Sequence, residues 1–179
     1  MNPSIFLNPM VCPNCAMPIL ANVDEVAWMC SQCQRGVLLN SDNGLSQIEI
    51  HFQQSSQDIE IGFPYWVTIA NVTLNRETLR GNMTKEMLQF WQNPRTVFIP
   101  AFELEMEEML IRAETLIKNP PALFAGEAIN FKPVILSPWD LRVYIEFLVM
   151  QIEAERQDDL KQLTFELQLS DPVLWIFPG

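Results

Sequence analysis

Apolar and polar positions along this chain change their period several times, and each change marks an element. Ile48, Ile50 and Phe52 point one way and Glu49 and His51 the other, the period-2 pattern of a half-buried strand, with Asp58 to Gly62 as a candidate partner. Pro64 to Leu74 is β-branched and aromatic and predicts a second strand, ending at Asn75-Arg76. Thr84 to Gln92 predicts a short helix with Met83, Met87, Leu88 and Trp91 on one side, stopped by Asn93-Pro94. Thr96 to Ile99 reads as another strand. The clearest helix follows: Phe102, Met106, Met109, Leu110, Ala113, Leu116 and Ile117 recur at helical spacing, while Glu103, Glu107, Glu108 and Glu114 lie elsewhere.

After Asn119-Pro120-Pro121, a brief strand is expected at Val134 to Leu136. Ser137 as N-cap and Pro138 at the first helical position then open a helix expected to run to about Gln157. That helix is apolar around much of its circumference, so it is either central to the core or in contact with another chain. Leu163 to Leu169 alternates, Asp171-Pro172 reads as a turn, and Val173 to Phe177 is an apolar terminal strand. Left exposed it is an aggregation hazard, so pairing in the sheet or cover by a partner is expected. The class is α+β: residues 43–179 form a mixed domain with a mainly antiparallel sheet and two main helices.

The first 42 residues follow a different logic. Cys12-Pro-Asn-Cys15 and Cys30-Ser-Gln-Cys33 are two Cys-x-x-Cys pairs with fourteen residues between them. Each pair sets two thiolates on a tight turn, and two such turns complete a tetrahedron around one divalent ion. Two disulfides suit a secreted chain, but Met1 to Met10 lacks the basic start and apolar run of a signal. A thioredoxin-type redox pair needs one such motif at a helix start, and iron for electron transfer is the remaining competitor. The expectation is one structural zinc ion held by Cys12, Cys15, Cys30 and Cys33, with no position open for substrate. The stretch from Ile19 to Met29 reads as a short hairpin with Trp28 over the metal side, and Pro13 and Gly36 fit the two knuckles.

In ligand spacing this segment resembles the zinc-ribbon family of small metal-stapled β modules. Ala16 and Gln34 stand where that family's commonest knuckle has glycine, which counts against rubredoxin-like iron more than against zinc. Beyond the ribbon, Pro64-Tyr-Trp66 and Ser137-Pro-Trp-Asp140 resemble segments of bacterial zinc-ribbon proteins of unassigned function.

Composition narrows what such a chain does. The 179 residues carry a net charge of −11, from 11 basic and 22 acidic side chains, which repels the phosphate backbone. Within residues 1–40, Arg35 alone is basic, so this ribbon lacks the cationic face of a nucleic-acid module. With 49% hydrophobic and 18% charged residues, some apolar surface is expected to be covered by a partner, by self-association or at a membrane face. No apolar run approaches the about 20 residues of a spanning helix.

The search for catalytic groups fails on inventory. All four cysteines are committed to metal, and His51 is the single histidine, at an outward strand position. No Gly-x-Ser-x-Gly elbow occurs, and six isolated glycines exclude a Walker loop or a dinucleotide fingerprint. Glu103, Glu105, Glu107 and Glu108 read as a solvated face. The sequence therefore points to a cytoplasmic, non-enzymatic zinc-binding protein-interaction or assembly subunit, acting with a protein partner or as a homo-oligomer, with peripheral association with a membrane complex left open. The alternatives are an enzyme with an acidic site in the C-terminal domain and a nucleic-acid-associated ribbon protein.

Overall fold

Among the residues described by the computed structural model (9–40, 43–56, 60–80, 84–156 and 159–179), eight strands and three α-helices follow one another. In chain order they are β1 (Ala27–Met29), β2 (Gly36–Asn40), β3 (Gly44–Ile48), β4 (Ile50–Phe52), β5 (Gly62–Arg80), α1 (Thr84–Trp91), β6 (Arg95–Pro100), α2 (Met106–Lys118), α3 (Leu141–Ala154), β7 (Asp159–Leu169) and β8 (Val173–Pro178). Strands β1-β2-β3 make an antiparallel sheet. The main sheet has the order β4-β8-β5-β6, with β7 on the far half of β5. Its pairs are antiparallel except β4 with β8. The class is α+β, as the periodicities imply.

The 19-residue β5 organises the main sheet. From Pro64 to Thr68 every residue is buried, because β8 and β6 flank this half and both faces are covered. From Ile69 to Thr73 exposure alternates, since only one face of this stretch is packed. Strands β7 and β8 lie end to end along one edge of β5. Val67 faces Val173 and Ala70 faces Leu169, so Thr68 and Ile69 are opposed by Ser170, Asp171 and Pro172, a bulge of one extra residue. Ser170 mends the ladder there: its N–H donates to Ile69 O at 2.9 Å, its Oγ accepts from Ile69 N at 2.9 Å, and its carbonyl accepts from Thr68 Oγ1 at 2.8 Å. Pro172, which has no N–H, sits where the pairing is interrupted. The apolar terminal strand is thus enclosed between β4 and β5.

Several expected elements differ. Residues 48–52 are not one strand: β3 belongs to the small sheet and β4 to the main one, with Glu49 between them. Ile19 to Met29 is not a hairpin, because Ile19 N bonds Met10 O at 2.8 Å and β1 pairs forward with β2. Val134 to Leu136 forms a single bridge to Ala27, since its backbone divides its bonds between Val26 and Ala101. Strand β5 runs to Arg80 rather than Asn75, held by β7 and by the cross-strand pair Lys161–Glu77 at 3.1 Å. Phe102 and Glu103 precede α2, and α3 begins after a 3-10 turn over Pro138–Asp140 and ends at Ala154. Ser137 caps that turn, its Oγ accepting from Trp139 N at 3.3 Å. Residues 58, 59, 83 and 157 of the expected elements lie outside the described residues.

The main core lies between one face of the sheet, through Trp66, Val97, Ile99 and Leu174, and α2 and α3, through Ala113, Ile117, Ile145 and Leu148. Ala27 and Leu38 of the small sheet join the same core. Two acids are buried there, and one of them, Glu114, is expected from the spacing to lie off the apolar stripe of its helix. Glu153 accepts from Trp91 Nε1 at 2.9 Å and from Arg156 Nε and a terminal guanidinium nitrogen, both at 2.8 Å. Glu114 of α2 takes bonds from Lys118 and from Gln151 Nε2 of α3. Burial pushes the Glu114 carboxyl up, but these donors outweigh it and hold it below the usual carboxylate range. Removing Glu153 leaves a largely buried guanidinium and an indole N–H without their acceptor. Glu153→Ala is expected to cost about 3 kcal/mol in denaturant unfolding, while Glu146→Ala on the exposed side of α3 changes stability by under about 0.5 kcal/mol.

Candidate metal centre

The two knuckles are built alike. In the first, Ala16 N bonds Cys12 O at 2.9 Å and Cys12 N bonds Met17 O at 2.8 Å; in the second, Gln34 N bonds Cys30 O at 2.9 Å and Cys30 N bonds Arg35 O at 2.9 Å. Each loop therefore closes on itself. The bridge between Val11 and Pro18 anchors the first loop, and β1 and β2 anchor the second. Among the described residues, Ala16 (φ 59°) and Gln34 (φ 55°) are the non-glycine positions with positive φ. The chain reverses there, at the two sites where the family pattern has glycine. Gly36 answers a different need: a Cβ on it would lie 2.6 Å from the Ile48 carbonyl oxygen of β3.

All four expected ligands come together. The Sγ atoms of Cys12, Cys15, Cys30 and Cys33 lie within 4.8 Å of one another, and the Cys12–Cys33 and Cys15–Cys30 separations are both 3.6 Å. Four sulfurs about 2.3 Å from a central ion stand roughly 3.8 Å apart in a tetrahedron, so the donor set fits a metal ion of that kind. The thiols are free, with sulfur separations too long for disulfides. Trp28, Ile19 and Val37 pack with Cys12 and Cys30 in a small core of their own. Trp28 does lie on the metal side.

Two of these sulfurs, Cys33 and Cys15, hold their protons very unequally. The Asn14 side chain donates to Cys33 and, with the Arg35 N–H and the Cys12 and Cys15 thiols, outweighs burial and brings Cys33 down to about 6. Cys15 receives a lowering bond from the Met17 N–H, yet burial and the other three sulfurs push it up to about 12. Cys33 therefore gives up its proton far more readily than Cys15, because clustered thiolates repel one another. Asn14 and the two backbone donors, each two residues beyond a cysteine, are parts of the site that spacing alone does not reveal.

The other candidate residues lie apart from this centre. His51 stacks on Trp175 with ring centroids 4.9 Å apart and faces Glu49 at 3.5 Å. Glu108 pairs with Arg112 at 2.7 Å along α2. Two clefts, of about 410 and 400 Å³, flank the small sheet. The first holds Glu25, whose carboxyl burial pushes up but which bonds from Asn22 and the Trp28 indole hold below the usual range. The second has Glu49 and Asp171 beside an apolar wall that includes Trp66 and Leu174. No cysteine lines either.

No protein-family model matches the chain, and neither a curated protein nor a solved structure is similar to it. The centre is therefore defined by its own geometry, which makes two predictions. Replacing Ala16 or Gln34 by glycine relieves a left-handed residue and is expected to stabilise the reduced protein by roughly 0.5–1 kcal/mol per site, net of glycine's greater unfolded-state entropy. Thermal unfolding of the single variants checks this. Metal must displace protons from thiols, so affinity falls as pH falls. Below about pH 6 Cys33 is also protonated, and competition titrations there should show a steeper loss of affinity per pH unit than at pH 7.5.

Proposed function

We propose that this chain is a non-enzymatic, zinc-binding protein-interaction or assembly component of the cytoplasm, with its metal in a structural role. Four sulfur ligands satisfy a tetrahedral ion completely, which supports a structural ion with no open coordination position. Zinc suits a closed all-thiolate site without redox work.

The turn between the knuckles carries the interaction reading. Glu25 accepts from Asn22 N at 2.9 Å, Asn22 Nδ2 at 2.9 Å and Trp28 Nε1 at 2.7 Å. Trp28 belongs to the core around the cysteines, so this carboxylate ties the turn to the metal-side packing. The turn leaves Leu20 93% and Val23 100% exposed, with half-exposed Met17 on the adjoining chain. Two aliphatic side chains fully in water on a turn so heavily bonded are a preorganised contact, and preorganisation lowers the entropic cost of docking. The acidic surroundings disfavour a phosphate ligand there.

Affinity capture with the wild type, Cys30→Ser and the double variant Leu20→Ser/Val23→Ser tests the reading. Burying such a side chain contributes about 1.5–3 kcal/mol, so the double variant should weaken partner binding more than about tenfold while keeping its metal. Cys30→Ser should lose both. Co-purifying nucleic acid, or a partner set indifferent to both variants, overturns the proposal.

A further inference from the structure

A cleft of about 400 Å³ opens between the two sheets, walled by Leu38 of β2, Trp66 of β5 and Leu174 of β8. Pockets for small ligands have this size and this apolar lining, and they form where two structural units meet. The Trp66 indole N–H is already spent on Leu136 O at 2.7 Å, so that ring offers the cleft apolar surface and no free donor. Trp139 also lines the cleft while 54% exposed, which sets a second indole at the boundary with water. The 3-10 turn fixes its backbone, with Ser137 Oγ accepting from Trp139 N. Glu49 and Asp171 supply the ionisable lining, and no basic side chain joins them. Asp171 follows Ser170, whose bonds to Thr68 and Ile69 hold the bulge in place. Among the described residues the Asp171 carboxylate has no hydrogen-bond or ion-pair partner. Glu49 has His51 at 3.5 Å, a contact that neutralises it only when the imidazole is protonated.

We propose that this cleft binds a small organic cation, an ammonium group carried on a compact apolar body. The inference adds a ligand site to the protein-contact reading above and does not depend on it. Two carboxylates with no lining base favour a positive ligand, and the net charge of −11 adds attraction at longer range. The face of an indole attracts an ammonium at contact, more strongly than other aromatic rings do, and the attraction grows where water is partly excluded. The apolar wall takes the rest of the ligand out of water, in proportion to the area it buries. An anion is a poorer occupant. The positive end of α3 would be its one attraction, and Asp140 in the opening turn already meets that end. Size narrows the class further: at about 30 Å³ for each water-sized unit, the cleft holds roughly a dozen non-hydrogen atoms. A lysine side chain from a partner protein, four carbons and a nitrogen, fills less than half of that space, so a whole small amine is the better fit.

Isothermal titration of the full-length, metal-loaded protein with 2-phenylethylammonium tests this, with neutral 2-phenylethanol and anionic 3-phenylpropionate as matched controls. The ammonium compound should bind saturably at one site with a Kd below about 1 mM, and at least about tenfold tighter than either control. Glu49→Gln and Asp171→Asn should each weaken it by roughly two- to fivefold. Trp139→Ala should weaken it by about fivefold or more. All three residues are exposed, so the variants are expected to keep the fold, and the two amide replacements keep side-chain shape as well. Leu20→Ser/Val23→Ser should bind the amine as the wild type does, so failure of the ribbon reading and failure of this one are separable. No saturable binding at millimolar concentrations, equal binding of either control, or an affinity indifferent to all three cleft variants overturns the proposal. Tighter binding of a capped lysine tripeptide than of the free amine also overturns it, because the cleft then belongs to a protein side chain.

Discussion

Four sulfur atoms gathered within 4.8 Å of one another are the constraint on which the N-terminal part of this protein depends. Around them, among the described residues, Ile19, Trp28 and Val37 are buried alongside Cys12 and Cys30. A core this small does not fix a fold, and modules of such size are completed by metal or disulfide. The consequences extend beyond the loops. Strands β1 and β2 lead into and out of the second knuckle, and they also send Ala27 and Leu38 into the main core. Ordering the knuckles therefore helps to order one wall of the larger packing.

The main sheet is organised around β5, which pairs with β6 on one edge and with β8 and β7 in succession on the other. The bulge at Ser170 lets one continuous strand serve two registers. That arrangement pairs the apolar C-terminal strand on both edges, while apolar surface elsewhere, including the turn beside the cysteine cluster and the outer face of α3, stays exposed. The turn is small and fixed by hydrogen bonds to Glu25.

Much of this was legible in the sequence because its signals are local. The Cys-x-x-Cys spacing located all four ligands, and the periodicities located α2, α3, β5, β7 and β8. The failures share a cause, in that tertiary partners decided them. Glu49 looks like any outward residue of a strand, yet it is where the chain changes sheets. Glu114 reads as polar surface, but bonds from Lys118 and Gln151 make it a core residue. Val134 to Leu136 is apolar enough for a strand, but Val134 bonds Val26 while Ile135 and Leu136 bond Ala101. At the metal centre the ligands could be read and their donors could not. Asn14 acts on Cys33 of the other knuckle, a relation that exists only after folding.

The most direct measurement is metal content with coordination. Elemental analysis of freshly prepared, reduced full-length protein, combined with X-ray absorption at the edge of the metal found, should give one zinc per chain with four sulfur neighbours at about 2.3 Å. Protein that is metal-free and folded, or an ion bound through nitrogen or oxygen atoms, would contradict the account.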